Sequence, residues 1–260
     1  MWGAIIGDLA GSIYEFEQVK KISNIKLENL NIENSFFSDD TILTIAILDA
    51  ILNDKKYEYY LKKYVNDYKD YKPNFKPYFK GTFSPTFIKW ANSDEVGNSI
   101  GNGAMMRISP VGYLFNSKED VIENAKLATT PSHNSKEAIN SATIIAEIIY
   151  LARKGCPKKE IIEQLNLNYS YSPFQKFNST CYKTIDNCLY ALFTSNSYEE
   201  AVIKVIKFGG DTDTNACIVG SMAEALFGVD DMIIEQAKEK IPKNFVQKLE
   251  QGYSRVRNLK

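Results

Sequence analysis

Apolar residues recur three and four positions apart along most of this chain, and that spacing is the strongest limit on its fold. Ile42, Ile45, Ala46, Leu48 and Leu52 form one stripe. Ile139, Ala142, Thr143, Ala146, Ile149 and Tyr150 form a second, and Ala216, Val219, Met222, Ala223 and Leu226 a third. Residues so spaced fall on one helical face, so each stripe predicts an amphipathic helix with one buried side. Weaker patterns of the same period predict helices over about 3–13, 56–69, 84–92, 118–129, 158–165, 178–194, 197–207 and 243–257. No alternating run is long enough for a strand of a large sheet. The segment Ile22–Ile32 alternates weakly and reads as an irregular loop. The expected class is all-α.

The length and composition narrow the function. At 260 residues, one core can bury roughly three quarters of the unfolded chain's surface. No repeat of fixed period and no Pro/Gly/Ser-rich linker divides the chain, so a single domain over 1–260 is expected. The charges nearly cancel, 31 Lys+Arg against 32 Asp+Glu, for a net charge of -1. There is no basic excess to neutralise a phosphate backbone, so nucleic-acid binding by bulk charge is excluded. Cys156, Cys181, Cys188 and Cys217 form no CxxC pair, and His133 is the only histidine, so a zinc site is not expected. The four cysteines read as small buried residues in a reducing compartment. Asp8 interrupts what would be an apolar signal core, and the longest apolar stretch, 144–152, contains Glu147. A cytoplasmic chain with no membrane span is therefore expected.

Two acidic clusters stand at predicted helix starts. Ser38-Asp39-Asp40-Thr41 precedes the helix beginning near Ile42, and Gly209-Gly210-Asp211-Thr212-Asp213-Thr214-Asn215 precedes the third stripe. Acids here can simply cap a helix: Ser38 or Asp39 in one case, Asp211 in the other. Capping explains one acid per cluster but not two. If the two helix ends meet, four carboxylates repel one another unless cations lie between them. An all-oxygen donor set points to Mg²⁺, Mn²⁺ or Ca²⁺. Two ions about 3.5–4 Å apart are a usual arrangement for so many carboxylates.

Three further segments carry chemistry. Small residues at 3, 4, 7, 10 and 11 give the first helix a thin face for close helix packing. Asp8 and Glu15, seven apart, share a face. Glu15 stands at the expected helix end beside Tyr14 and Phe16; Asp8 either supports the site from behind or is a structural acid. Ser99-Ile100-Gly101-Asn102-Gly103-Ala104-Met105-Met106-Arg107 reads as a tight turn whose backbone N–H groups suit a diphosphate. It is neither a dinucleotide fingerprint nor a P-loop. Arg107 either pairs with an interior acid or touches ligand. His133 lies in the loop Thr130-Pro131-Ser132-His133-Asn134-Ser135. No Ser-His-Asp or Cys-His arrangement accompanies it.

Taken together, these five segments resemble the ADP-ribosylglycohydrolase family, which includes the dinitrogenase reductase-activating glycohydrolases and the ADP-ribosylarginine hydrolases. The resemblance rests on Gly3–Glu15, Phe37–Thr41, Gly101–Arg107, Ser132–Asn134 and Gly209–Ala216, in the family's order. It implies an all-α, compact orthogonal multi-helix bundle with two Mg²⁺ (or Mn²⁺) in a central cleft. It implies Ser38, Asp39, Asp40, Asp211, Asp213 and Thr214 as metal ligands. It places Glu15 near the scissile bond, with Asp39 and Asp213 the acids on which catalysis turns. Ser99, Ile100, Gly101, Asn102, Gly103 and His133 fall around ADP-ribose. Ile100 stands where many relatives carry an aromatic residue. After His133 the chain reads Asn-Ser-Lys-Glu-Ala, where bacterial relatives often have a second His, a Pro and a Gly.

The implied reaction is hydrolysis of ADP-ribosylated protein side chains, above all ADP-ribosylarginine, by a metal-held water attacking C1″ of the ribose. Two other readings fit the same clusters. One is a non-catalytic ADP-ribose-binding module. The other is an immunity protein that blocks a cognate ADP-ribosyltransferase by direct contact. A monomer is expected.

Overall fold

The computed structural model describes residues 1–18, 25–73, 81–173 and 177–258. Every regular element among them is helical: α1 Trp2–Gln18, α2 Asp39–Leu52, α3 Tyr57–Tyr68, α4 Pro85–Ala91, α5 Gly103–Met106, α6 Ser109–Leu114, α7 Lys118–Thr129, α8 Lys136–Arg153, α9 Lys158–Gln164, α10 Cys181–Phe193, α11 Tyr198–Lys207, α12 Thr212–Phe227, α13 Asp231–Lys240 and α14 Lys243–Asn258. Two single-residue bridges, Asn98 with His133 and Gly101 with Thr180, are the only β pairing among the described residues. The all-α expectation holds. Of the weakly alternating segment, 22–24 lie outside the described residues, and 25–32 is irregular.

Two helices form the heart of the core. In α12, every residue from Thr212 to Ala223 is buried, and in α2 every residue from Asp40 to Ile51. Helices buried all round belong to the centre of a bundle rather than its surface. Around α12 pack α1, α8, α10 and α11; around α2 pack α3, α6 and α14. No helix among the described residues is long and apolar enough to cross a membrane.

Two helices of six residues or more, α6 and α13, lie outside the expected ranges. α6 is buried along its whole length and has Pro at its start, so no polar face marks it. α13 fully buries only Ala237 and leaves Met232 72% exposed, with Ile233 and Ile234 half-buried against the core. Cys181 and Cys188 share the buried face of α10, and Cys217 is buried in α12, as expected. Cys156 is a correction: it sits after α8 and is only half-buried.

Candidate metal centre

α1 runs antiparallel against α12, Gly3 facing Gly220, Gly7 facing Ala216 and Gly11 facing Thr212, and the site forms where it passes the start of α12. Gly7 and Gly11 of α1 lie so close to α12 that a Cβ would collide with backbone. At Gly7 it would meet the Ala216 carbonyl, and at Gly11 the Thr212 carbonyl and the Asp213 backbone. Thr212 Oγ1 donates to the Gly11 carbonyl at 2.8 Å. The expected thin face is therefore real, and it brings Asp8 and Glu15 beside Asp211 and Asp213. Ahead of α12, Gly209 and Gly210 both adopt left-handed backbone (φ 75° and 77°). Residues with a Cβ rarely take that conformation, so the glycine pair makes the turn possible.

Asp8 is wholly buried and organises the start of α2. Its Oδ2 accepts from the Ser38 N–H (2.9 Å), the Thr41 N–H (3.1 Å) and the Thr41 hydroxyl (2.5 Å). Its Oδ1 accepts from Ser38 Oγ at 2.8 Å. Ser38, not Asp39, is the N-cap, with Oγ accepting from the Asp40 N–H. The Ser38 hydroxyl also lies 3.0 Å from Asp40 Oδ2, and Thr214 Oγ1 donates to that oxygen at 3.3 Å. The other oxygen, Asp40 Oδ1, is buried with no partner. Asp211 departs from the expected cap. It holds the N-cap position of α12 but makes no capping bond, because its Oδ2 turns inward to accept from Asn102 Nδ2 at 2.7 Å.

The carboxylates fall into two groups of three that share Asp213. Ligand oxygens of Asp8, Asp40 and Asp213 lie within 4.8 Å of one another, and so do those of Glu15, Asp211 and Asp213. The two acidic stretches, some 170 residues apart, thus meet. Asp39 belongs to neither group but is close enough for its charge to act on Glu15 and Asp40. Burial pushes all six acids above the ordinary carboxylate range. Glu15 is raised to about 9, first by burial and then by the charges of Asp211, Asp39 and Asp8. Asp39 is raised to about 8 by burial, Asp8 and Asp211. Asp40 and Asp213 are raised well above it, by burial and then by neighbouring acids. In Asp8 and Asp211, hydrogen bonds partly offset the burial.

This environment fits a divalent cation. No basic side chain bonds to the six acids among the described residues. The donors in both groups are carboxylate oxygens, and one buried oxygen lacks any partner. Hard oxygen donors around a buried anionic hollow suit Mg²⁺, Mn²⁺ or Ca²⁺ better than a thiophilic ion.

The turn at 97–103 lies beside this cluster. Asn102, through Asp211, ties the turn to the acids. Gly97 N–H donates to Pro131 O, Ser99 N–H to Ser132 O, and Asn134 N–H to Gly97 O, so the turn and the 131–134 loop form one unit. The His133 ring sits against Gly101 and Gly103, and a Cβ at Gly103 would lie 3.4 Å from Nε2. All six residues expected around ADP-ribose are therefore neighbours, and the Ile100 side chain is half exposed at their edge. The expectation of free N–H groups needs correction. The Gly101 N–H is taken by Ser99 Oγ at 3.0 Å and the Asn102 N–H by the Ser179 carbonyl at 2.8 Å. Of the two roles left open for Arg107, its direct bonds go to Ser132 Oγ and the Ala128 carbonyl, and the charge of Asp39 acts on it without a bond among the described residues. Two surface cavities, of about 420 and 510 Å³, contain none of these residues.

Sequence reasoning left Asp8 undecided between two supporting roles. The signal that could have placed it among the clustered acids is an ionisable residue on the face where Gly7 and Gly11 demand close packing.

Comparison with known proteins points to one family. A family profile described as ADP-ribosylglycohydrolase matches residues 1–260. The chain is 25% identical to the ADP-ribosylarginine hydrolase Tri1 of Pseudomonas putida, over 59% of this chain and 46% of that protein. It is 24% identical to the ADP-ribosyl-[dinitrogen reductase] glycohydrolase of Rhodospirillum rubrum, over 60% of this chain and 52% of that protein. It thus spans about half the length of these two relatives. Against mouse ADP-ribosylhydrolase ARH3 it is 20% identical, over 88% and 83% of the two chains. A solved structure titled "ADP-ribosylglycohydrolase-related protein complex" superposes with a TM-score of 0.70 at 17% identity, covering 98% of this chain and 93% of that one. At that identity the likeness establishes the fold. With the profile matching end to end, the chain belongs to the ADP-ribosylglycohydrolase family.

Proposed function

We propose that this chain is a metal-dependent hydrolase that removes ADP-ribose from modified protein side chains, with ADP-ribosylarginine as the linkage cleaved. One observation carries the reading: two groups of three carboxylates share Asp213, and no basic side chain bonds to them among the described residues. We assign Ser38, Asp39, Asp40, Asp211, Asp213 and Thr214 to the cations, with Asp8 and Glu15 beside them, in one domain spanning 1–260. Two Mg²⁺ or Mn²⁺ ions would neutralise these acids, bind the 2″- and 3″-hydroxyls of the ribose and lower the pKa of a water that attacks C1″.

The chain's own residues have distinct tasks. Asp8 holds the start of α2 through four hydrogen bonds, which aims Asp40 inward. Asn102 does the same for Asp211. Glu15 takes a proton from the attacking water onto a carboxylate oxygen, which requires it to be ionised. Attack forms a C1″–O bond and breaks the C1″–N bond, whose electron pair leaves with the nitrogen; the proton that Glu15 took from the water passes to that nitrogen, so the guanidine leaves neutral and Glu15 is ionised again. Positive charge builds on C1″ as the bond breaks. Ser99, Ile100, Gly101, Asn102, Gly103 and His133 hold the remainder of ADP-ribose.

The test is release of ADP-ribose from arginine-, serine- and nucleic-acid-linked substrates, each with Mg²⁺, Mn²⁺ or chelator. The reading expects turnover of the arginine linkage that chelator abolishes. No turnover on any substrate, with ADP-ribose bound equally well in EDTA, would leave a binding module. Inhibition of a cognate ADP-ribosyltransferase that survives Asp213→Asn would indicate blocking by contact.

A further inference from the structure

Behind the 99–103 turn lies a buried cation that the reaction scheme does not use. The Arg107 side chain is 0% exposed. Its Nη2 donates to Ser132 Oγ at 2.7 Å and more weakly to the Ala128 carbonyl at 3.4 Å. Its Nε and Nη1 have no partner, so no carboxylate bonds to it among the described residues. The Ser132 oxygen is also 2.7 Å from His133 Nδ1. The opposite ring nitrogen, Nε2, points at Gly101 and Gly103.

Donor and acceptor roles along this chain are forced. A guanidinium only donates, so Ser132 Oγ is an acceptor toward Arg107. The serine has one hydroxyl hydrogen, and His133 Nδ1 is its only other partner among the described residues. A buried hydroxyl hydrogen left unpaired is costly, so that hydrogen goes to Nδ1. Nδ1 is then an acceptor, and a neutral imidazole must carry its proton on Nε2. Burial, and then the Arg107 charge, pull the His133 pKa well below its ordinary value, so the ring is neutral.

We propose that Arg107 is a positioning residue. Through the Ser132 hydroxyl it fixes His133 in the Nε2–H tautomer, so the ring presents a hydrogen-bond donor to an acceptor oxygen of the ligand held by the 99–103 turn. The ligand half of this statement rests on the reading that ADP-ribose occupies the turn. The tautomer half does not. Both Nη2 contacts of Arg107 go to Ser132 Oγ and the Ala128 carbonyl, and no carboxylate bonds to that nitrogen among the described residues.

His133 is the only histidine in the chain, so its ring nitrogens can be observed without assignment ambiguity. Long-range ¹H–¹⁵N spectra of the ligand-free protein between about pH 6 and 8 decide the tautomer. The expected result is a ring with bare Nδ1 and protonated Nε2 throughout. A proton on Nδ1, or a ring that becomes cationic within that range, would overturn the proposal. In Ser132→Ala and Arg107→Met the two tautomers should mix, and affinity for free ADP-ribose, measured by calorimetry, should fall about tenfold. A pure Nε2–H ring in both folded variants would also overturn it. If the wild type fails to bind ADP-ribose, the functional reading fails, while the spectra still decide the tautomer.

Discussion

Asp213 is the one side chain common to both carboxylate groups, so its removal strikes both at once. Asp213→Asn should lower divalent-cation affinity by at least about a hundredfold, as judged by calorimetry, since even residues that merely support metal ligands contribute factors of 10–100. Asp54→Asn, at an exposed surface acid paired with Lys56, should leave affinity unchanged. The raised pKa values give a second expectation. In the cation-free protein Asp39 is raised to about 8 and Glu15 to about 9, so the folded state binds more protons than the unfolded chain. Stability from these groups is complete below the usual carboxylate range and is lost as pH rises through about 8–9. Thermal unfolding in EDTA should therefore show Tm falling between about pH 5 and 9, and added Mg²⁺ should restore most at the alkaline end. A Tm that rises with pH in EDTA would contradict the buried-acid account. The paired clusters around Asp39 and Asp213 were legible because acids beyond those needed for capping are unusual at a helix start. Asp8 was not, because the Ser38 and Thr41 groups it binds lie about thirty residues away.

At the scale of elements, the close antiparallel packing of α1 on α12 sets the distance between acids. Gly7→Ala would drive a methyl into the Ala216 carbonyl. Forcing atoms into a packed core costs typically 1–3 kcal/mol. Urea unfolding should show a loss of about that size. Because α1 carries Asp8 and Glu15, cation affinity should fall in the same variant. A fully stable Gly7→Ala protein would mean that the helices do not approach so closely. The stripes that mark α2, α8 and α12 were readable from apolar spacing, and the structure extends each by a few residues. α6 escaped because burial on all sides removes the contrast on which that reading depends, and α13 because only Ala237 along it is fully buried. The inward turn of Asp211 was hidden for a related reason. Its partner Asn102 stands 109 positions earlier, and local sequence shows a capping residue either way.

For the whole molecule, the fold persists at 17% identity. Ile100 is half exposed at the rim of the site, where the resemblance to the family leads one to expect an aromatic ring. Ile100→Tyr adds a face for stacking, and aromatic contacts contribute about 0.5–1.5 kcal/mol beyond area burial. Affinity for ADP-ribose should rise by about two- to tenfold in calorimetry. Unchanged affinity would place Ile100 away from the ligand. The central claim is that distant acidic stretches enclose divalent cations. A crystal soaked in Mn²⁺ and measured at the manganese edge tests it most directly. Two anomalous peaks are predicted, one on the Asp8–Asp40 side and one on the Glu15–Asp211 side, with Asp213 touching both. A well-ordered cluster with no peak at high Mn²⁺ would contradict it.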